Sequence, residues 1–132
     1  MNSKLKKIIK ESVFKVEEGR FVYTKVAKDP NTGKHFMVSR DADEITVVTR
    51  EESLPGMALI ERNKDFYRLV ALNVSVPFYS VGLLAAVSQA IAKAGMNILI
   101  VSTYSKDYIL VKDKKINNAR SVLLKLGFQE IR

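Results

Sequence analysis

The chain of 132 residues contains no cysteine, which excludes a disulfide framework, a thiolate zinc site, an iron–sulfur cluster and a thiol nucleophile. Its single histidine, His35, leaves a histidine-rich metal site short of ligands, and a catalytic triad would have to be built on that one imidazole. No GxGxxG or GxxxxGK stretch occurs, so neither type of glycine-rich phosphate loop is present. The longest apolar region, Val81 to Val101, is broken by Ser88, Gln89, Lys93, Gly95 and Asn97 and falls short of the ~18 clean residues that a membrane span requires. The basic start, Met1 to Lys7, is followed by no apolar segment of the kind that directs export. These absences lead to the expectation of a cytoplasmic protein with no membrane contact, no metal and no cofactor.

What the chain does have is a formal charge of +8, from 22 Lys and Arg against 14 Asp and Glu, and 47% apolar residues. That composition lies in the globular range for one ordinary domain, or two small units sharing a core. The charge is uneven. Residues 1–10 hold four lysines and no acid, whereas Lys93 is the only fully charged side chain between Pro77 and Ser105. The apolar middle is therefore core or interface. A basic balance raises the alternative of a nucleic-acid-binding module. The lysines are scattered among acids, however, and aromatic residues do not interleave with them as a stacking platform needs, which argues against nucleic acid.

Along the chain, Leu5, Ile8 and Ile9 at helical spacing mark a short N-terminal helix. Ser12–Val16 and Arg20–Val26 alternate like strands around the tight turn Glu17-Glu18-Gly19, and read as a hairpin. Short strands follow at Phe36–Ser39 and Glu44–Thr49, with connections too short for helical crossovers, so the pairing should be mostly antiparallel. Residues 54–65 read as an irregular link. The rhythm then changes: a strand at Phe66–Ser75, a helix from Val81 to Ala94 stopped by Gly95, strands at Met96–Ser102 and Asp107–Val111, a helix from Lys114 to Leu126 stopped by Gly127, and a last strand to Ile131. This β-α-β-β-α-β order is that of ferredoxin-like folds.

The words that build this order are specific. The run Val81-Gly82-Leu83-Leu84-Ala85-Ala86-Val87, then Ala94-Gly95-Met96-Asn97-Ile98, then Ser102-Thr103-Tyr104-Ser105-Lys106-Asp107-Tyr108-Ile109-Leu110-Val111 resembles the paired ACT-domain family of regulatory amino-acid-binding proteins, which includes the cytosolic arginine sensors of animal cells. Phe36 to Val48 resembles the family's shortened leading unit. The basic N-terminal segment has no counterpart in that family, and the chain holds one pair of units where the animal sensors hold two. The resemblance implies an α+β fold of ferredoxin-like ACT units, with an antiparallel sheet and helices on one face. Residues 1–65 would form a reduced first unit and 66–132 a complete second one.

It further implies a non-catalytic regulatory module, not an enzyme, that binds a free amino acid or similar small effector, mediates dimerisation, or both; the strand edges of a small sheet and the nearly uncharged stretch from Pro77 to Ser105 add the expectation of a homodimer or larger assembly. Ligand contacts would come from Ser80, Val81 and Gly82 at a helix entrance, where unpaired N–H groups favour an anion, and from Thr103, Tyr104 and Asp107 in a hairpin. Asp107 would meet the ligand's cationic group. Plain structural roles compete: Asp107 as a turn cap, Gly82 as a packing glycine and Ser80 as a helix N-cap. Asp43 and Glu44 read as turn and salt-bridge residues, and His35 as an exposed residue at a strand start.

Overall fold

In a computed structural model, residues 1–30, 32–74 and 81–132 are described, and the chain divides into two compact units. The first joins Met1–Glu18 to Arg68–Arg132, and the second is Gly19–Tyr67. The expected division at residue 65 thus differs at the N-terminus, where the first eighteen residues group with the C-terminal half.

The reason lies in two short elements. Helix α1 (Ser3–Lys10) starts at Asn2, whose side-chain oxygen accepts the Leu5 N–H at 2.7 Å, an N-cap that satisfies one of the orphan donors of the first turn. Too short to hold alone, the helix is fixed by burying Leu5 and Ile9 in the core of the first unit. Strand β1 (Val13–Val16) then pairs antiparallel with β6 (Tyr67–Asn73), Val13 opposite Asn73, and parallel with β9 (Gln129–Ile131), Val13 opposite Gln129. The expected β1–β2 hairpin does not form. Both edges of β1 are already taken by β6 and β9, so the Glu17–Gly19 turn leads out of one unit and into the other.

The rest of the first unit follows the β-α-β-β-α-β order: β6, α2 (Leu83–Lys93), β7 (Leu99–Ser102), β8 (Asp107–Lys112), α3 (Ile116–Leu126) and β9. β8 pairs with β6, and β7 runs antiparallel to β8 from Leu99 opposite Leu110 to Ser102 opposite Asp107. In this sheet β1 lies between β6 and β9, the first and last strands of the repeat. Alternation along the strands sends Phe14, Val70, Leu72, Ile109 and Val111 into one cluster with Leu83, Val87 and Ile91 of α2 and Ile116, Ala119 and Leu123 of α3. Gly95, at φ +80°, and Gly127, at φ +125°, end α2 and α3 in a conformation that L side chains rarely adopt, as the sequence indicated.

The second unit has no α-helix among the described residues. Its centre is β2 (Phe21–Val26), antiparallel to β4 (Ile45–Arg50) on one side and to β5 (Leu59–Arg62) on the other, with a register shift between Lys25 and Val26. β3 (Met37–Arg40) completes the order against β4. β5 falls inside the stretch read as an irregular link. All four of its residues are exposed, so it lacks the apolar alternation by which a half-buried strand is found. The turn before β4 is set by Asp41, whose carboxylate accepts the N–H groups of Asp43 and Glu44 at 2.8 and 3.1 Å. Glu44 reaches Lys25 at 3.8 Å, in keeping with a turn and ion-pair role. His35 departs from expectation: it is half-buried, with Nδ1 2.9 Å from the hydroxyl of the fully buried Thr49.

Candidate functional site

The first wall of the expected site is the entrance to α2. Ser80 lies outside the described residues. Val81 is 91% exposed, which no packing role explains. Gly82 is the N-cap residue, at φ +86° and ψ −1°, and its carbonyl accepts the Ala86 N–H at 2.9 Å. This is a left-handed backbone position that glycine adopts at no steric cost, so the residue type is fixed by local conformation before any ligand is considered. It carries no capping side chain, so the first-turn N–H groups gain none of the satisfaction that serine or aspartate would give. A Cβ placed on Gly82 would lie 3.6 Å from Cδ2 of Leu5, so α1 abuts this turn. This contact of α1 was not legible in the sequence, because an eight-residue amphipathic helix says only that one face is covered, not by what.

The second wall is the β7–β8 turn. Thr103 donates its N–H to the Lys106 carbonyl at 2.8 Å, and its hydroxyl to the same oxygen at 3.2 Å, which closes the turn. Tyr104 at its tip is 85% exposed. Asp107 sits opposite Ser102 in the ladder, and its Oδ1 accepts the Ser102 hydroxyl at 2.6 Å. Thr103, Tyr104 and Asp107 are therefore gathered on one hairpin end. Ser102 belongs with them although it was not singled out as a site residue. Its signal was the ladder register, since a residue directly across a tight hairpin from a carboxylate is placed to donate to it. The arrangement offers one anchored carboxylate, a hydroxyl and an aromatic ring facing water. It can hold a cation or ammonium, but it has no imidazole, thiol or paired acid to move a proton in a reaction.

The ACT domain family model matches residues 63–125, from the end of β5 to the last turn of α3, and so spans both walls. Residues 63–125, just under half of the chain, are thus similar to an ACT domain. Among curated proteins no sequence matches. Solved structures share the fold over nearly the whole chain at low identity. A protein of unknown function from Vibrio cholerae is 21% identical, with a TM-score of 0.80 over 94% of this chain and 96% of its own. The ligand-free regulatory subunit of aspartate kinase from Thermus thermophilus is 10% identical, with a TM-score of 0.59 over 87% and 95%. The Clostridium acetobutylicum aspartate kinase is 13% identical, with a TM-score of 0.65 over 88% of this chain and 34% of that enzyme. At these identities the likeness is one of fold. Among the described residues the first unit differs from a bare ferredoxin-like repeat in the strand β1, inserted between the repeat's first and last strands, and in the helix α1 packed against its core. No helix among the described residues is long and apolar enough to cross a membrane.

Proposed function

We propose that the chain is a non-catalytic regulatory module of the ACT type, which binds a free amino acid or similar small effector and acts as a homodimer. The observation that carries the reading is the family match over residues 63–125, because that stretch contains the α2 entrance and the β7–β8 turn together. In this reading the N–H groups after Gly82 receive the effector's carboxylate, and Asp107 receives its ammonium. Ser102 supports Asp107 by occupying one carboxylate oxygen, which fixes the rotamer while leaving the other oxygen for the ligand.

The test is a thermal-shift screen of the free amino acids, followed by calorimetry on the one that stabilises most. Asp107→Ala should weaken that binding about tenfold to a hundredfold, the equivalent of roughly 1.5–3 kcal/mol for a charge-assisted hydrogen bond. Unchanged affinity in a folded Asp107→Ala protein would reduce Asp107 to a turn residue. Gly82→Val is a poorer probe than the sequence suggested. At φ +86° any L side chain is strained, so the variant confounds ligand access with folding. Light scattering at micromolar concentration checks the dimer, and a monomer there would refute that part of the reading.

A further inference from the structure

The second unit has a cleft of about 250 Å³ that the effector reading does not use. One wall is the end of β2 and the turn after it, with Val26, Lys28 and Asp29, and another is Lys34 and His35. A third is the segment after residue 52, with Pro55 and Met57. The N–H of Ala27 donates to the carbonyl of Ala58 at 2.8 Å and ties the first wall to the third. The geometry points to a binding site here for a small organic anion, a compact carboxylate or phosphate monoester with a short apolar body.

The charge balance sets the sign of the ligand. Among the described residues Asp29 is the only carboxylate on the lining, and it is occupied by Arg40, whose Nε donates to Oδ1 at 2.6 Å. Lys28 and Lys34 form no ion pair with a carboxylate among the described residues, so the lining keeps an excess of positive charge in a unit whose acids and bases balance as a whole. His35 is positioned and not free to swing, because Nδ1 is engaged by the hydroxyl of Thr49, which is itself fully buried. Its Nε2 has no hydrogen-bond partner among the described residues and remains available to an oxyanion. Val26, Pro55 and Met57 supply an apolar lining that a bare inorganic ion would not use. The volume lies just under the roughly 300–1,000 Å³ of ordinary small-molecule sites, which excludes a dinucleotide or a polymer and selects a compact ligand.

Because the chain has one histidine, its ring resonances are a single unambiguous reporter inside this cleft. The experiment is an NMR titration of the intact chain at about 150 mM salt, where exposed charges more than a Debye length apart are largely screened. The probes are isobutyrate, isopropyl phosphate, inorganic phosphate and the neutral isobutyramide. Either organic anion should shift the His35 signals saturably below about 10 mM, isobutyramide should not, and Lys28→Ala with Lys34→Ala should weaken the effect at least about tenfold. Saturation by isobutyrate alone assigns a carboxylate site, and by isopropyl phosphate alone a phosphate-ester site. Saturation by inorganic phosphate with equal affinity would overturn the apolar part of the proposal. No saturable shift with any anion, an equal response to isobutyramide, or unchanged affinity in a folded double variant would overturn the site.

Discussion

The two units of this chain reach stability by different routes. Among its described residues the first places three α-helices and five strands around a common apolar cluster in which Ile9, Phe14, Leu72, Val87, Ile91, Ile109, Ala119 and Leu123 have no exposed surface. It also carries the whole excess of charge, fourteen of the twenty-two Lys and Arg against six of the fourteen acids. The second unit balances eight bases against eight acids and has no α-helix to cover its sheet among the described residues. There arginine takes over part of the covering. Arg20 forms a paired hydrogen bond with Glu51 through Nε and Nη2, and lies 3.9 Å from the centre of the Phe66 ring, with Arg62 at 5.1 Å. Tyr23 stacks edge-on against Tyr67 at 5.8 Å, and Phe21 against Phe36 at 6.3 Å. A guanidinium can shield an aromatic face while its charge stays in water, so a small sheet can be capped without a helix. The comparison teaches that the helical unit depends on volume, and the all-strand unit on pairs of side chains.

The sharpest way to break that comparison is to cut into the volume. Phe14 is fully buried on the inserted strand and meets Phe128 edge-on at 6.5 Å. Phe14→Ala should cost about 3–5 kcal/mol in chemical denaturation. The His35 ring signals of the other unit should keep their folded positions until the transition itself. Loss of both at low denaturant, in one step, would show that the units share their stability.

A smaller effect is expected from a pair in the second unit. The hydroxyl of Thr24, 4% exposed, donates to the Val47 carbonyl at 2.8 Å. Thr24→Val keeps the shape and removes the donor, and should cost about 1–2 kcal/mol, visible as a lowered denaturation midpoint at unchanged slope. A neutral outcome would mean that strand packing, not paired groups, decides this unit.

The smallest effects should appear at the pH extremes, both in the second unit. Burial, and secondarily the neighbouring Tyr67, pushes the Tyr23 phenol above its ordinary 10.0. The unfolded chain therefore loses that proton first, so the stabilisation is complete below about pH 10 and disappears as pH rises through the folded value. Glu51 runs the other way. The hydrogen bond from Arg20 outweighs the cost of desolvation and, helped by the charges of Arg20 and Arg62, holds its carboxyl below the usual 4.5. Its contribution is present above about pH 4.5 and is lost as pH falls through the folded value. Melting curves against pH should lose the alkaline limb in Tyr23→Phe and part of the acid limb in Glu51→Gln. Limbs identical to the parent's would detach both groups from stability.

Much of the first unit was legible because its signals are local. Helical spacing in Leu84, Val87 and Ile91, the stops at Gly95 and Gly127, and the tight turn between Ser102 and Asp107 each depend on residues a few positions apart. The observed helix α2 begins at Leu83 where the pattern suggested Val81, since Gly82 at positive φ cannot be helical. The second unit read less well. β5 was missed because its residues are uniformly exposed, and His35 was misplaced because its partner, Thr49, is fourteen residues away. Of the expected site, the hairpin end was legible from its motif, while Ser102 emerged only from the ladder register.

By itself the sequence determined what short-range physics can determine: the absence of thiol and zinc–cysteine chemistry, the order of the second half, the places where helices must stop and the likeness of that half to an ACT domain. Tertiary structure alone decided where the first eighteen residues belong. Nothing in Val13-Phe14-Lys15-Val16 distinguishes a strand that folds back on β2 from one that slots between β6 and β9, because a β-strand's partners are chosen by edges made available far away in the chain. The same holds for the cleft in the second unit. Lys28, Lys34 and Met57 become neighbours only when β5 closes against β2, a pairing that no local pattern announces.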